Sequence, residues 1–297
     1  MTDYFLYSGD IDIKSCFHFI DLIETSKNSS NVALILVTNG GDPDAAFKMG
    51  RSLQFMYEDV SIFVPGICKS AGTLLSIAAN ELVFSLCYGE LGPLDIQVTK
   101  KDGVLGQESG LVIHEAFNLL EERSAELLHS LVPKIIDATE GRVSLQTASD
   151  FASKFSSSLF SPILARIDPK EIGERSRSMK IAEEYGKRLN YKFENLEFNS
   201  PTDSKLYVLD FLTWNCPSHE FVIDAIEAGA LFKRVRLTSE SEESIVKEYR
   251  LPKKGAPIIE NITDKFRAVE NNHANSKKSK DNQTSANERN EESGDRA

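Results

Sequence analysis

The chain has 297 residues, 41% of them apolar, and a formal net charge of -11. That is enough apolar side chain for a sizeable core in one large domain or two, while the acidic balance disfavours a general nucleic-acid binder, which needs an excess of Lys and Arg to neutralise phosphates. Cys16, Cys68, Cys87 and Cys216 show no Cys-x-x-Cys spacing, which excludes a disulfide scaffold and predicts a reduced, cytoplasmic setting. No basic stretch precedes an apolar one at the start, so no signal peptide is expected. No run of 18 apolar residues predicts a membrane span.

Residues 4–7 read as a first strand and Ser8-Gly9-Asp10 as its turn. Apolar residues at Ile13, Cys16, Phe17, Phe19, Ile20, Leu22 and Ile23 then give residues 12–25 an amphipathic helical period. His18 lies on or beside that apolar face and reads as an ordinary helix histidine. The β-branched run 32–37 predicts a second strand, Gly40-Gly41 a sharp turn, and residues 45–54 a helix. A third strand over 60–64 ends at Pro65-Gly66, and from Ser70 the small and apolar residues up to Ala79 predict a buried helix.

Two strand-turn-helix units thus follow one another, and in a parallel sheet both turns fall at the carboxyl ends of neighbouring strands, where open α/β folds bind ligands. Ser70 stands at the second turn. Unpaired N–H groups at a helix start favour negative charge on a serine oxygen or a substrate oxyanion, although Ser is also a preferred N-cap. The backbone N–H groups of Gly40 and Ala71 are candidate oxyanion donors on either side of it.

Residues 81–84 read as a further strand, and Leu91-Gly92-Pro93-Leu94-Asp95 as a turn. Residues 100–110 are polar and predict a loop or flap. Long helical periods follow over 111–138 and 144–164, the latter stopped or kinked near Pro162, and Asp168-Pro169 opens another helix to about residue 189. His114 and His129 are too widely spaced for a metal pair on neighbouring turns. A short helix is predicted over 203–215, a last strand over 232–235 and a last helix over 240–248. His219 differs from the other histidines in lying in a Pro-containing loop, and loops carry catalytic residues disproportionately. Beyond Val269 no large apolar residue occurs, so residues 270–297 are expected to be disordered.

Four segments carry a family resemblance: residues 4–12, the strand leading into Asn39-Gly40-Gly41-Asp42, the run Gly66-Ile67-Cys68-Lys69-Ser70-Ala71-Gly72, and Glu90 to Gln97. Together they resemble the proteolytic subunit of Clp protease and its distant relatives. Within that superfamily the likeness is greatest to the serine dehydrogenase proteinase family, itself related to signal peptide peptidase A. The resemblance is continuous over residues 4–97 and looser over 167–236. It implies an α/β fold of the Clp and crotonase type. Residues 1–110 would form the core, 111–200 a helical extension, and 201–250 a segment returning to the core.

The Clp subunit carries a histidine base soon after the serine helix, and this chain has no histidine between Glu81 and Val98. The serine dehydrogenase proteinase pattern places Asp95, in the Gly-Pro-x-Asp turn, and His219, before a helix ending near a glycine, with Ser70 in a triad of order Ser, Asp, His. The resemblance therefore implies a serine peptidase acting on peptides or proteins. Such an enzyme needs no metal or cofactor and usually assembles as a homo-oligomer; whether an ATPase partner is required stays open. Three alternatives stand beside it. One is a Ser-Lys dyad with Lys100, Lys101 or Lys134 as base, Lys69 being badly directed from a helix start. The others are a crotonase-like acyl-CoA enzyme, which the nucleophile position disfavours, and an inactive peptide-binding or regulatory relative.

Overall fold

The structure, a computed structural model, describes residues 1–94, 97–99, 107–165, 168–199 and 207–269. The predicted tail at 270–297 lies outside them. In chain order, β1 (Thr2–Ser8), α1 (Ile13–Ser26), β2 (Asn31–Val37), α2 (Pro43–Met56), β3 (Asp59–Val64), β4 (Ile67–Cys68), α3 (Ala71–Ser76), β5 (Glu81–Phe84) and β6 (Glu90–Leu91) come first. A hairpin pairs β7 (Gln97–Thr99) with β8 (Gln107–Ser109), the latter inside the stretch 100–110 predicted as a loop or flap, and α4 (Gly110–Ala138), α5 (Leu145–Leu164) and α6 (Pro169–Phe193) follow. The chain ends through α7 (Val208–Asp210), a π-helical turn (Phe211–Asn215), α8 (Ala225–Leu231), β9 (Val235–Leu237), α9 (Glu240–Val246) and β10 (Ile258–Asn261).

These elements divide into two compact units. The first comprises Met1–Leu94, Glu183–Asn215 and the chain from Glu220 onward. It is α/β: a six-stranded sheet of order β10-β1-β2-β3-β5-β9, with β1, β2, β3, β5 and β9 parallel and β10 antiparallel on β1. The strand residues alternate between the two faces. Leu6, Ala33, Ile35, Phe63 and Val83 face one side and pack with Ile245 and Val246 of α9 and with Ile262 and Phe266. Phe5 and Tyr7 face the other and meet the edge of Phe19 on α1, at ring distances of 6.5 and 6.2 Å. Because both faces are covered, a central parallel strand has no solvent side to mark with polar residues. That is why β2 reads Val-Ala-Leu-Ile-Leu-Val without interruption.

Several predicted boundaries move. The helix after Ser70 spans six residues and then tightens, with Ala78 N–H donating to Leu75 and Ala79 N–H to Ser76. The chain has to stop there so that Asn80 N–H can bond Val60 and lead into β5. The last parallel strand begins at Val235 and not at residue 232, because Phe232 instead bridges Leu196 and is buried. Of the helix predicted over 203–215, residues 203–206 lie outside the described residues, and 211–215 wind more widely than an α-helix. The edge strand β10 carried no sequence signal.

The second unit comprises Asp95–Ala182 with Cys216–His219. Its two long helices, α4 and α5, pack on each other through small residues. Ala148, Ala152 and Ser156 are buried on α5, and Ser156 Oγ lies 3.1 Å from Ser124 Oγ of α4. Helix α5 continues through Pro162 to Leu164, the proline falling in its last turn, where little of the hydrogen-bond ladder remains to be lost.

The outer corner of the sheet is closed by charge. Arg236 on β9 holds Glu242 of α9 through two 2.9 Å bonds and Glu81 of β5 at 3.0 Å. Burial raises the Glu242 carboxyl, but the Arg236 guanidinium and the Ser239 N–H and hydroxyl outweigh it and hold the group below its ordinary 4.5. A carboxyl lowered on folding contributes stability above its unfolded value and loses it as pH falls through the folded one. Glu242→Gln is therefore expected to cost about 1–2 kcal/mol at neutral pH. In urea titrations across pH, the gap between variant and wild type closes below 4.5.

Candidate functional site

Ser70 links β4 to α3 with φ 52° and ψ −112°. A residue with a Cβ has no steric minimum there. Glu140 and Glu194 also have positive φ, but each follows a long helix, where a left-handed residue commonly terminates the last turn. Ser70 precedes its helix, and its side chain makes no capping bond to it, so the ordinary role of serine at a helix start is not the one performed here. The side chain is half-buried.

The neighbouring segments hold this conformation from both sides. The end of β2 bonds β4, with Thr38 N–H donating to Ile67 (2.9 Å) and Lys69 N–H to Thr38 (3.0 Å). On the helical side, Gly72 N–H donates to Lys69 (2.8 Å) and Leu74 N–H to Ser70 (3.0 Å). Gly40, at φ 116°, lies directly against the serine. A Cβ built on it would come within 2.8 Å of Ser70 Cβ, 3.0 Å of the Lys69 carbonyl and 3.3 Å of Ala71 N. The structure thus brings Gly40, Ser70 and Ala71 together. Ala71 N–H opens α3, where the first N–H groups have no partner within the helix. Gly40 N–H donates to Thr38 Oγ1 at 2.9 Å, so in this conformation it is engaged by Thr38. With α3 only six residues long, local N–H groups contribute more here than a helix dipole, which grows with aligned peptide units.

Asp95 lies outside the described residues, as do Lys100 and Lys101. The turn that leads to Asp95 is nevertheless defined up to Leu94. Buried Thr73 Oγ1 donates to the Gly92 carbonyl at 2.8 Å and accepts Gly92 N–H at 3.2 Å. Leu94 N–H reaches Leu212 of the π-helical turn at 2.8 Å. His219 is half-buried in a turn that groups with the helical unit, and Lys134 is exposed on α4 of the same unit. His18 and His129 are exposed on their helices. Among the described residues, no three His, Cys, Asp or Glu side chains stand together as metal ligands.

Three further residues shape the surroundings of Ser70. Lys69, only 8% exposed, turns away from the serine: its Nζ bonds the Glu220 carbonyl at 3.1 Å and pairs with Glu90 Oε1 at 3.3 Å. Gly92 makes room for it, since a Cβ there would press on the lysine stem at 3.0 Å. The ammonium ties β6 and the start of the segment 220–223 to the strand that carries Ser70. Ile223 completes the tie by exchanging two backbone bonds with Leu91, at 2.9 and 3.0 Å. Thr38 and Thr73 are the other two. The available signal was a lone charge inside the apolar run Gly66-Ile67-Cys68-Lys69. Cys68 is no rival nucleophile. Burial pushes its thiol up to about 12, so it stays protonated at neutral pH.

No family model matches this chain, and no curated protein matches it. Among solved structures, a point mutant of the 1510-N membrane-bound stomatin-specific protease superposes with a TM-score of 0.30 at 18% identity, over 50% of this chain and 68% of that one. A likeness at this level assigns neither a fold family nor a chemistry. No described helix is long and apolar enough to cross a membrane.

Two outcomes follow from the packing about Ser70. Gly40→Ala is expected to lower stability by about 1–3 kcal/mol through its positive φ alone, and more through contact with Ser70, read as a reduced urea midpoint. Lys69→Met leaves Glu90 without its cation and is expected to cost about 1–3 kcal/mol. In a double-mutant cycle, adding Glu90→Gln should recover part of that loss.

Proposed function

We propose that the chain is a serine hydrolase of the Clp and crotonase type that cleaves peptide bonds, with Ser70 as nucleophile. The observation that carries this reading is the backbone of Ser70. A serine forced to φ 52° and ψ −112° between a strand and a helix, with its hydroxyl not used as a cap, has the strained strand-turn-helix setting of an exposed nucleophile. Strain of this kind persists only where the surroundings over-determine it, and it clusters at active sites.

In the proposed reaction, Ser70 Oγ attacks the scissile carbonyl while its proton passes to the His219 imidazole, and Asp95 orients the ring and stabilises its charged form. The tetrahedral oxyanion is held by the Ala71 and Gly40 N–H groups. Gly40 exchanges its Thr38 partner for the oxyanion, which is favoured because bonds to a charged acceptor are about twice as strong as neutral ones. Collapse breaks the C–N bond, the leaving amine takes the imidazolium proton, and water repeats the sequence on the acyl-serine. Lys69 is not available as a base, because its side chain reaches away from Ser70 to the Glu220 carbonyl and Glu90.

Incubation of the full chain with a fluorophosphonate probe tests the reading. Wild type should be labelled, and Ser70→Ala should not. Loss of labelling in His219→Ala supports the histidine base; retention there with loss in Lys134→Ala transfers the role to a lysine. A folded wild-type protein that takes no label overturns the hydrolase reading in favour of a peptide-binding role.

A further inference from the structure

Within the sheet-containing unit, the second half of α6, the segment 194–198 and residues 207–210 enclose a groove of about 620 Å³. Its floor is apolar, with Leu196 and Val208 buried. Three aromatic side chains line it while remaining open to solvent: Tyr191 is 81% exposed, Phe198 71% and Tyr207 51%. Phe198 and Tyr207 meet edge to face, with centroids 4.9 Å apart. Aromatic rings are ordinarily buried or paired, and several exposed around one concavity mark a recognition surface.

The charges in the groove are unequal. Four carboxylates, Glu183, Glu194, Glu197 and Asp210, line it against the two ammonium groups of Lys187 and Lys233. Lys187 is already committed to Glu183 at 2.5 Å and Glu184 at 3.1 Å. Burial, followed by the negative charge of Glu183, holds the Asp210 carboxyl above its ordinary range. A cation seated there would reverse that cost, and the ring faces beside it attract ammonium and guanidinium groups.

We propose that this groove binds an extended segment of another polypeptide, seating a Lys or Arg side chain between the aromatic rings and Asp210 and an adjacent apolar side chain on the Leu196 and Val208 floor. The proposal does not depend on Ser70 or on the hydrolase reading. Charge complementarity selects the partner: an acidic or purely apolar segment leaves the carboxylates uncompensated.

The chain supplies its own reporter. Its single tryptophan, Trp214, donates its indole N–H to Glu183 Oε2 at 3.3 Å, so a cation drawn to Glu183 alters the indole's surroundings. The full chain, carrying Ser70→Ala to prevent turnover, is titrated with a fluorescein-labelled heptapeptide containing Leu-Arg-Leu-Lys. A control replaces both basic residues with Glu. Saturable polarisation and a Trp214 emission change are expected for the basic peptide alone, weakening as salt is raised. Asp210→Asn and Phe198→Ala, both at half-buried or exposed positions, should each weaken binding at least tenfold with unchanged thermal unfolding. Equal binding of the two peptides, unchanged affinity in both variants, or no binding up to about 1 mM overturns the proposal. Self-association that is lost in Phe198→Ala, without peptide binding, assigns the groove to a second copy and likewise overturns it.

Discussion

The backbone at Ser70 sits in a conformation that a residue with a Cβ leaves unless both of its flanks are fixed, and the site is built around fixing them. On the strand side the fixed points are the bonds among Thr38, Ile67 and Lys69. On the helical side they are the first turns of α3 and the threonine that pins Gly92. Strain of about 1–3 kcal/mol is small against these combined constraints but large against any one of them. The conformation therefore belongs to the whole arrangement of β2, β4, β6 and α3, not to the serine.

Buried charge has a structural part in the same region. Lys69 is adjacent to the strained residue, yet its ammonium reaches away to Glu90 and to the Glu220 carbonyl. An ion pair of this kind adds little net stability over a well-packed apolar pair, but it penalises any arrangement that separates its members. Nearby, Cys68 remains a thiol, and Thr73 and Ser76 are fully buried with their hydroxyls bonded to backbone carbonyls.

The two units use different packing rules. The parallel sheet is covered on both faces, and its corner is closed by the Arg236, Glu242 and Glu81 cluster. In the helical unit, α4 and α5 approach through alanines and serines, leaving Phe151, Phe155, Leu159 and Ile163 exposed along the outer side of α5 at helical spacing. The aromatic groove of the first unit differs from that stripe in carrying a charge imbalance, and it is the imbalance that defines what it selects.

Much of this was legible in the chain itself. The apolar run of β2, the amphipathic periods of α1 and the long helices, the Gly40-Gly41 turn and the strand-helix junction at Ser70 all arise from patterns a few residues long, because hydrophobic period and turn chemistry are local properties. The α/β class and the meeting of Gly40 with Ser70 follow from two such units in a parallel sheet. Strands of two residues, β4 and β6, have no period to read, and β10 is a short Ile-Ile-Glu-Asn run that becomes a strand only where the edge of β1 stands open to it. The partners that Lys69 takes and the backbone angle of Ser70 likewise depend on residues tens of positions away. The sequence by itself determined which residues stand at the junction; only the tertiary structure decided the strained geometry in which they are held, because that geometry is imposed by contacts remote in the chain.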